Sequence, residues 1–262
     1  MAKQSVSKAS QLYFGSAYSP KAFAVNERVG VPFNPLTKVS LGSPAVLDAD
    51  GLIVAATGTE LPDTETVTYT PATDGTSPLD GAIAAPSTVF LAGADRSVWV
   101  LDVPRNITGV VSHAGTSVAM TVLISGYDYY GQAMSELLTF GASASDVPAA
   151  GAKAFKYISS IAITAAADAE ANTLNMGWGD VLGLPYALPA KSDFLTNGCY
   201  FNEVLEGTAP AVVAAVTTTA TTTTGDVRGT VDLNSACDGS AVSVWYKTDP
   251  TSEATLFGVA QA

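Results

Sequence analysis

The sequence predicts an all-β protein: a β-sandwich or jelly-roll-like body behind an extended N-terminal arm. Short runs alternate apolar and polar residues with a period of two, which is the strand pattern. Glycine- and proline-bearing turns separate these runs, and sustained helical periodicity is almost absent. The boundaries read as an arm over 1–45, a main body over 46–205 and a C-terminal β segment over 206–262. That last segment is either part of the body or separate from it.

In the arm, Pro20, Pro32, Pro35 and Pro44 sit among Gly, Ser and Asn. Proline lacks a backbone donor and favours extended or turn conformations. From residue 46, "AVLDADGLIVAA" predicts a turn at Asp48–Gly51 between two apolar runs. "ETVTYTPA" alternates Val67 and Tyr69 with Thr66 and Thr68. "RSVWVLDVPRNITGVVS" sets Trp99, Leu101 and Val103 against Val100 and Asp102, and Pro104 belongs at an edge, bulge or strand end.

In "SVAMTVLISGYDYYGQAMSELLTF", Val118, Met120, Val122 and Ile124 share one face, and Met134, Leu138 and Phe140 share another with Glu136. Between them, Asp128 and Gly131 fit the first and fourth positions of a type I turn, so the stretch reads as a hairpin. "KAFKYISSIAIT" is a further strand with Phe155, Tyr157, Ile161 and Ile163 on one face. The glycines and Pro185 of "NMGWGDVLGLPYAL" predict loops with Trp178 anchored beneath one of them. The threonines of "TTTATTTT" are β-branched and lie between strand patterns, so an ordered strand-rich segment is expected there.

Charge narrows the function. The chain has 12 basic and 24 acidic residues, a net −12. Residues 1–38 hold five basic residues against Glu27, a net +4, and the remainder is −16. An acidic body repels phosphate and no basic stripe exists, so nucleic acid is not an expected partner. Neither a secretory leader's apolar core nor a run of about 18 apolar residues is present, so no membrane partner is expected. Cys199 and Cys237 are too few for a disulfide framework and are expected as free thiols.

The sequence offers no pattern expected of a catalytic, cofactor or metal site. His113 is the one histidine, and its neighbour Ser112 does not make a triad. Asp128 and Glu136, with Asp180, are the carboxylates a glycosidase would need. A hairpin places them as solvated turn and strand residues, without the burial that shifts a catalytic pKa. Asp48-Ala49-Asp50-Gly51 opens like a calcium loop but lacks the later ligands. "GWGDVLGLP" matches no phosphate- or dinucleotide-binding pattern.

Four segments carry a resemblance. "VWVLDVPRNITGV" (98–110), "GYDYYGQAMSE" (126–136), "KAFKYISSIAIT" (153–164) and "WGDVLGLPYAL" (178–188) resemble, in that order, segments of virion structural proteins of tailed bacteriophages. "TATTTTGDVRGTVDL" (219–233) is similar to that group as well. The resemblance covers about residues 97–235.

It implies a non-enzymatic capsid decoration or cement protein, made in the host cytoplasm and carried on the outer capsid surface. Its implied partners are the major capsid protein and further copies of itself, as a homotrimer. The alternative is a tail, fibre or head-fibre protein that binds host glycans. The residues expected to meet a capsid or neighbouring subunit are Lys3, Lys8, Tyr13, Phe14, Tyr18, Lys21, Phe23 and Arg28 in the arm. Tyr127, Tyr129 and Tyr130 are expected to do so in the hairpin.

Overall fold

The computed structural model describes residues 36–57, 61, 65–71, 87–113, 115–165, 172–247 and 261. Its described elements are strands and one short 3-10 turn, Lys191–Asp193, and its sheets are antiparallel. The axis of the molecule is the 20-residue strand β5 (Ala94–His113). Its first half pairs with β4 (Ser87–Leu91) and β9 (Phe155–Ala165). Its second half pairs with β8 (Val147–Ala150) and β10 (Asn172–Gly183).

The switch occurs at a bulge. Val100 lies opposite Tyr157 and Arg105 opposite Phe155, so residues 101–104 have no room in the regular ladder. Pro104 sits there, where a missing N–H disrupts nothing. Strands that change neighbours at bulges are how stacked sheets turn their corners.

The large sheet runs β13 (Ala211–Val213), β14 (Thr230–Asp232), β10, β5, β9, β6 (Met120–Tyr127), β7 (Ala133–Phe140). Further strands join it: β2 (Asp48–Ala56) on β10 and β3 (Thr66–Tyr69) on β9. Folded over on itself, it buries Leu52, Ile53, Ile107, Val111, Leu174 and Met176 against Val122, Ile124, Leu138, Phe140, Ile161 and Ile163. The layers meet closely: a Cβ on Gly109 of β5 would stand 3.0 Å from the Phe140 ring of β7. Each such side chain contributes about 1.5–3 kcal/mol by leaving water.

A smaller sheet runs β1 (Leu36–Gly42), β15 (Val242–Lys247), β11 (Phe194–Phe201), β12 (Val204–Leu205). Its inner face, with Val39, Leu41, Val244 and Tyr246, packs on Leu182, Leu184, Val231 and Leu233. Cys199 and Cys237 are buried in this second core as free thiols. Burial pushes both up to about 12, which keeps them protonated and unreactive.

Several elements differ from the sequence expectation. Leu36–Gly42, the end of the expected arm, is a strand. Asp48–Gly51 is not a turn between strands but an irregular stretch within β2, where Asp48 faces Trp178 and Ile53 faces Met176. The glycine-rich "NMGWGDVLG" is strand β10, and Trp178 stands in it, not beneath a loop. Those glycines mark close approach: a Cβ at Gly177 would clash with the Asp48 backbone, and one at Gly183 would stand 2.5 Å from the Ala154 Cβ. Tyr157 leaves the main core for the Leu91, Val98 and Tyr127 cluster, and Ile158 takes its place. The cause is the register shift opposite Ser125 and Gly126 of β6.

The threonine run is ordered but is not a strand. Thr224 Oγ1 accepts from the Thr221 N–H at 2.8 Å, and the Thr224 N–H donates to Thr221 O at 3.2 Å. Local bonds of this kind replace a ladder.

Candidate functional site

The hairpin forms as the turn chemistry predicts. β6 and β7 pair from Met120–Phe140 to Tyr127–Ala133. The Gly131 N–H closes the turn on Asp128 O at 3.1 Å, and Gly131 has φ +78°. The environment of the turn is not the expected one. Asp128 is fully buried, and Glu136 is buried as well.

Asp128 is held from four directions. Its Oδ1 accepts from the N–H groups of Tyr130 (2.8 Å) and Gln132 (2.9 Å). Its Oδ2 accepts from the Arg228 guanidinium (2.8 Å) and the Gln261 amide (2.9 Å). Arg228 is itself buried; its Nε donates to Leu184 O at 3.2 Å and its guanidinium lies 5.2 Å from the Tyr130 ring centroid. Asp226, also buried, accepts from the N–H groups of Arg228 (2.8 Å) and Ala154 (3.1 Å). Burial raises its carboxyl above the usual range, against the pull of Arg228.

Glu136 adjoins this network from β7. Its Oε1 accepts from Ala152 N–H at 2.6 Å and Lys153 N–H at 3.2 Å. Its Oε2 has no hydrogen-bond partner among the described residues. Burial pushes the carboxyl up to about 7, opposed by those two amides and by Lys153. Lys153 is buried as well, and its Nζ donates to Ser135 O at 2.8 Å; burial lowers its pKa.

A raised carboxyl is one ingredient of acid–base catalysis, but a reaction needs access for a substrate. Asp128, Asp226, Glu136, Arg228 and Lys153 are all closed off from solvent. The arrangement cross-braces a turn, a strand and two loops. Asp180, the third expected carboxylate, is elsewhere, 3.3 Å from Arg105. His113 ends β5, and its Nδ1 accepts from Gly115 N–H at 2.8 Å. No group of three or more His, Cys, Asp or Glu among the described residues is placed to hold a metal ion. No helix among them is long and apolar enough to cross a membrane.

The accessible part of the hairpin lines an open groove of about 580 Å³. Its lining combines β1 with Tyr129, Tyr130, Pro104, Pro185 and Tyr186. The three hairpin tyrosines have different fates. Tyr127 is buried in the core cluster with Leu91 and Val98, so it cannot meet a partner. Tyr130 is half-buried; its hydroxyl donates to Pro185 O at 3.0 Å, and burial pushes it up to about 12. Tyr129 is 53% exposed and stands edge-on to Tyr130, with ring centroids 5.1 Å apart. Lys3, Lys8, Tyr13, Phe14, Tyr18, Lys21, Phe23 and Arg28 lie outside the described residues.

Sequence reasoning missed Arg228, Lys153 and Gln261 as partners of the hairpin. A single arginine in the strand-like "GDVRGTV" and a lysine directly before "AFKYISSI" were the available signals. Each carries a charge where the pattern calls for burial. Searched against protein-family models, curated proteins and solved structures, the chain matches none.

Proposed function

We propose that this chain is a non-enzymatic structural component of a tailed-bacteriophage virion, a decoration protein that binds the outer capsid lattice. One observation carries the reading. The segments that resemble phage virion proteins supply the same buried network: Asp128 and Glu136 from one, Lys153 from the next, and Asp226 and Arg228 from the last. The resemblance therefore rests on residues that brace the fold. What they hold in place is a solvent-closed body with a tyrosine-rimmed groove.

A decoration protein adds contact area that only the assembled lattice offers, and so stabilises that state by linkage. Repetition over a symmetric shell turns modest contacts into high avidity. A homotrimer would match three-fold positions of such a shell. Quantitative mass spectrometry of purified virions tests the reading: a copy number comparable to the major capsid protein is expected, and a handful of copies per particle refutes it. Removing residues 1–35 leaves β1 whole and is expected to abolish capsid binding while the body stays folded. A cut at residue 40 would damage the small sheet instead, because β1 pairs with β15 from Leu36 onward.

A further inference from the structure

We propose that the groove beside β1 receives an extended segment of the N-terminal arm, residues 21–31, from a second copy of this chain. The groove has the form of a strand-addition site. β1 pairs with β15 on one side, and among the described residues no strand pairs with its other side. Lys38, Val39, Ser40, Leu41 and Gly42 line the groove in sequence. An open strand edge is a template for a further strand, and pockets flanking it select the side chains. Five residues at about 3.3 Å each give some 17 Å of edge. Tyr129 and Tyr186 also line the groove and present exposed aromatic surface.

Charge states what kind of segment fits. Lys38 is held by Glu203 at 2.6 Å, Lys156 donates to the carbonyls of Leu101 and Asp102, and Asp102 pairs with Arg105. The ions at the groove are already engaged, so the site offers backbone and apolar contacts. Attraction comes from farther away. Residues 1–35 carry four basic residues against one acid, whereas 36–262 carry eight against 23. Opposite fields of this kind steer encounter.

The arm contains a matching stretch. In "KAFAVNERVGV" (21–31), Phe23, Val25, Val29 and Val31 fall on alternate positions, with Glu27 in the same row. That spacing puts them on one side of an extended backbone. The following residues favour a neighbour's groove over the chain's own. Val31 and Asn34 each precede a proline, which biases both toward extended conformations and against folding back at once onto β1. The segment lies 5–15 residues before Leu36, where β1 begins, so extended chain carries it roughly 17–50 Å from that strand, a span that can reach an adjacent copy.

This inference does not rest on the virion reading, since purified protein alone tests it. In the full chain, a cysteine is walked through positions 23, 25, 29 and 31 in one set of preparations, and Ser40→Cys is made in another. Cys199 and Cys237 are buried, so the introduced thiols are the reactive ones. Oxidising the mixed preparations is expected to join one chain of each kind, at least tenfold above either alone, for at least one arm position. Adding Tyr129→Ala and Tyr186→Ala to the Ser40→Cys chain is expected to cut that yield at least fivefold. Chains that carry an arm cysteine together with Ser40→Cys are oxidised in parallel, and linkage confined to single chains of this kind would assign the groove to the chain's own arm and overturn the proposal. No linkage at any of the four positions would overturn the arm as occupant.

Discussion

Two buried arginines brace this molecule, and they differ in what surrounds their carboxylates. Arg105 sits at the β5 bulge, where its guanidinium meets Asp102 at 3.2 Å and Asp180 at 3.3 Å. It also donates to the backbone carbonyls of Gly179 and Ala45. Its acidic partners keep contact with water, with side chains 32% and 16% exposed. Arg228 sits under the hairpin, and its partner Asp128 is entirely buried. The first arrangement lets solvent stabilise whichever charge is left behind when a partner is lost. The second does not, so the two arginines are alike in burial and unlike in consequence.

The largest expected effect follows from that contrast. Arg228→Met leaves Asp128 buried beside Asp226 with no guanidinium, and is expected to cost about 3–5 kcal/mol in denaturant unfolding. Arg105→Met should cost distinctly less. Equal losses would break the comparison. The double substitution Asp128→Asn with Arg228→Met is expected to recover part of the loss, because no charge then remains stranded at the turn.

Next in size is Glu136. Folded, its carboxyl keeps its proton up to about pH 7; unfolded, it releases it near the ordinary 4.5. Between those values the folded chain binds the extra proton. Glu136 therefore favours the fold most below about pH 4.5, and this contribution is lost as pH rises through 7. The span corresponds to about 3 kcal/mol as an upper bound. Glu136→Gln is expected to flatten this part of the stability–pH curve and to stabilise the chain at pH 8. An unchanged slope between pH 5 and 7 would show that Glu136 is not its source.

Salt separates the two arginine sites on a finer scale. Raising ionic strength should weaken the water-contacted Arg105 site by a few tenths of a kcal/mol and leave the Arg228 site almost untouched. Comparing each Met variant with the parent at low and high salt reads this directly. Smallest is Tyr130→Phe, which removes the bond to Pro185 O but keeps the ring beneath Arg228. A loss of about 0.5–1.5 kcal/mol is expected.

The fold class and the hairpin were legible because both depend on local pattern. Period-two alternation and an Asp-x-x-Gly turn act within a few residues. The burial of Asp128 was not legible, because it is set by Arg228, 100 positions along the chain, and by Gln261 beyond it. Nor was β10. Gly177, Gly179 and Gly183 looked like loop residues, but each lies where a neighbouring element leaves no room for a Cβ. The threonine run misled in the opposite direction, since strand propensity counts for little when hydroxyls and backbone close a turn among themselves. The groove takes Tyr129 and Tyr130 from the hairpin singled out in the sequence. It also takes residues of β1, which composition had assigned to the arm.

The length of β5 has a mechanical meaning. Its 20 residues carry hydrogen bonds to β4, β8, β9 and β10 in succession. Tension along that strand loads many bonds in shear together. A pull on Ser87, at the open end of the β4–β5 hairpin, would instead unzip β4 from β5 one pair at a time. The molecule should resist stretching along one axis far better than peeling from that corner.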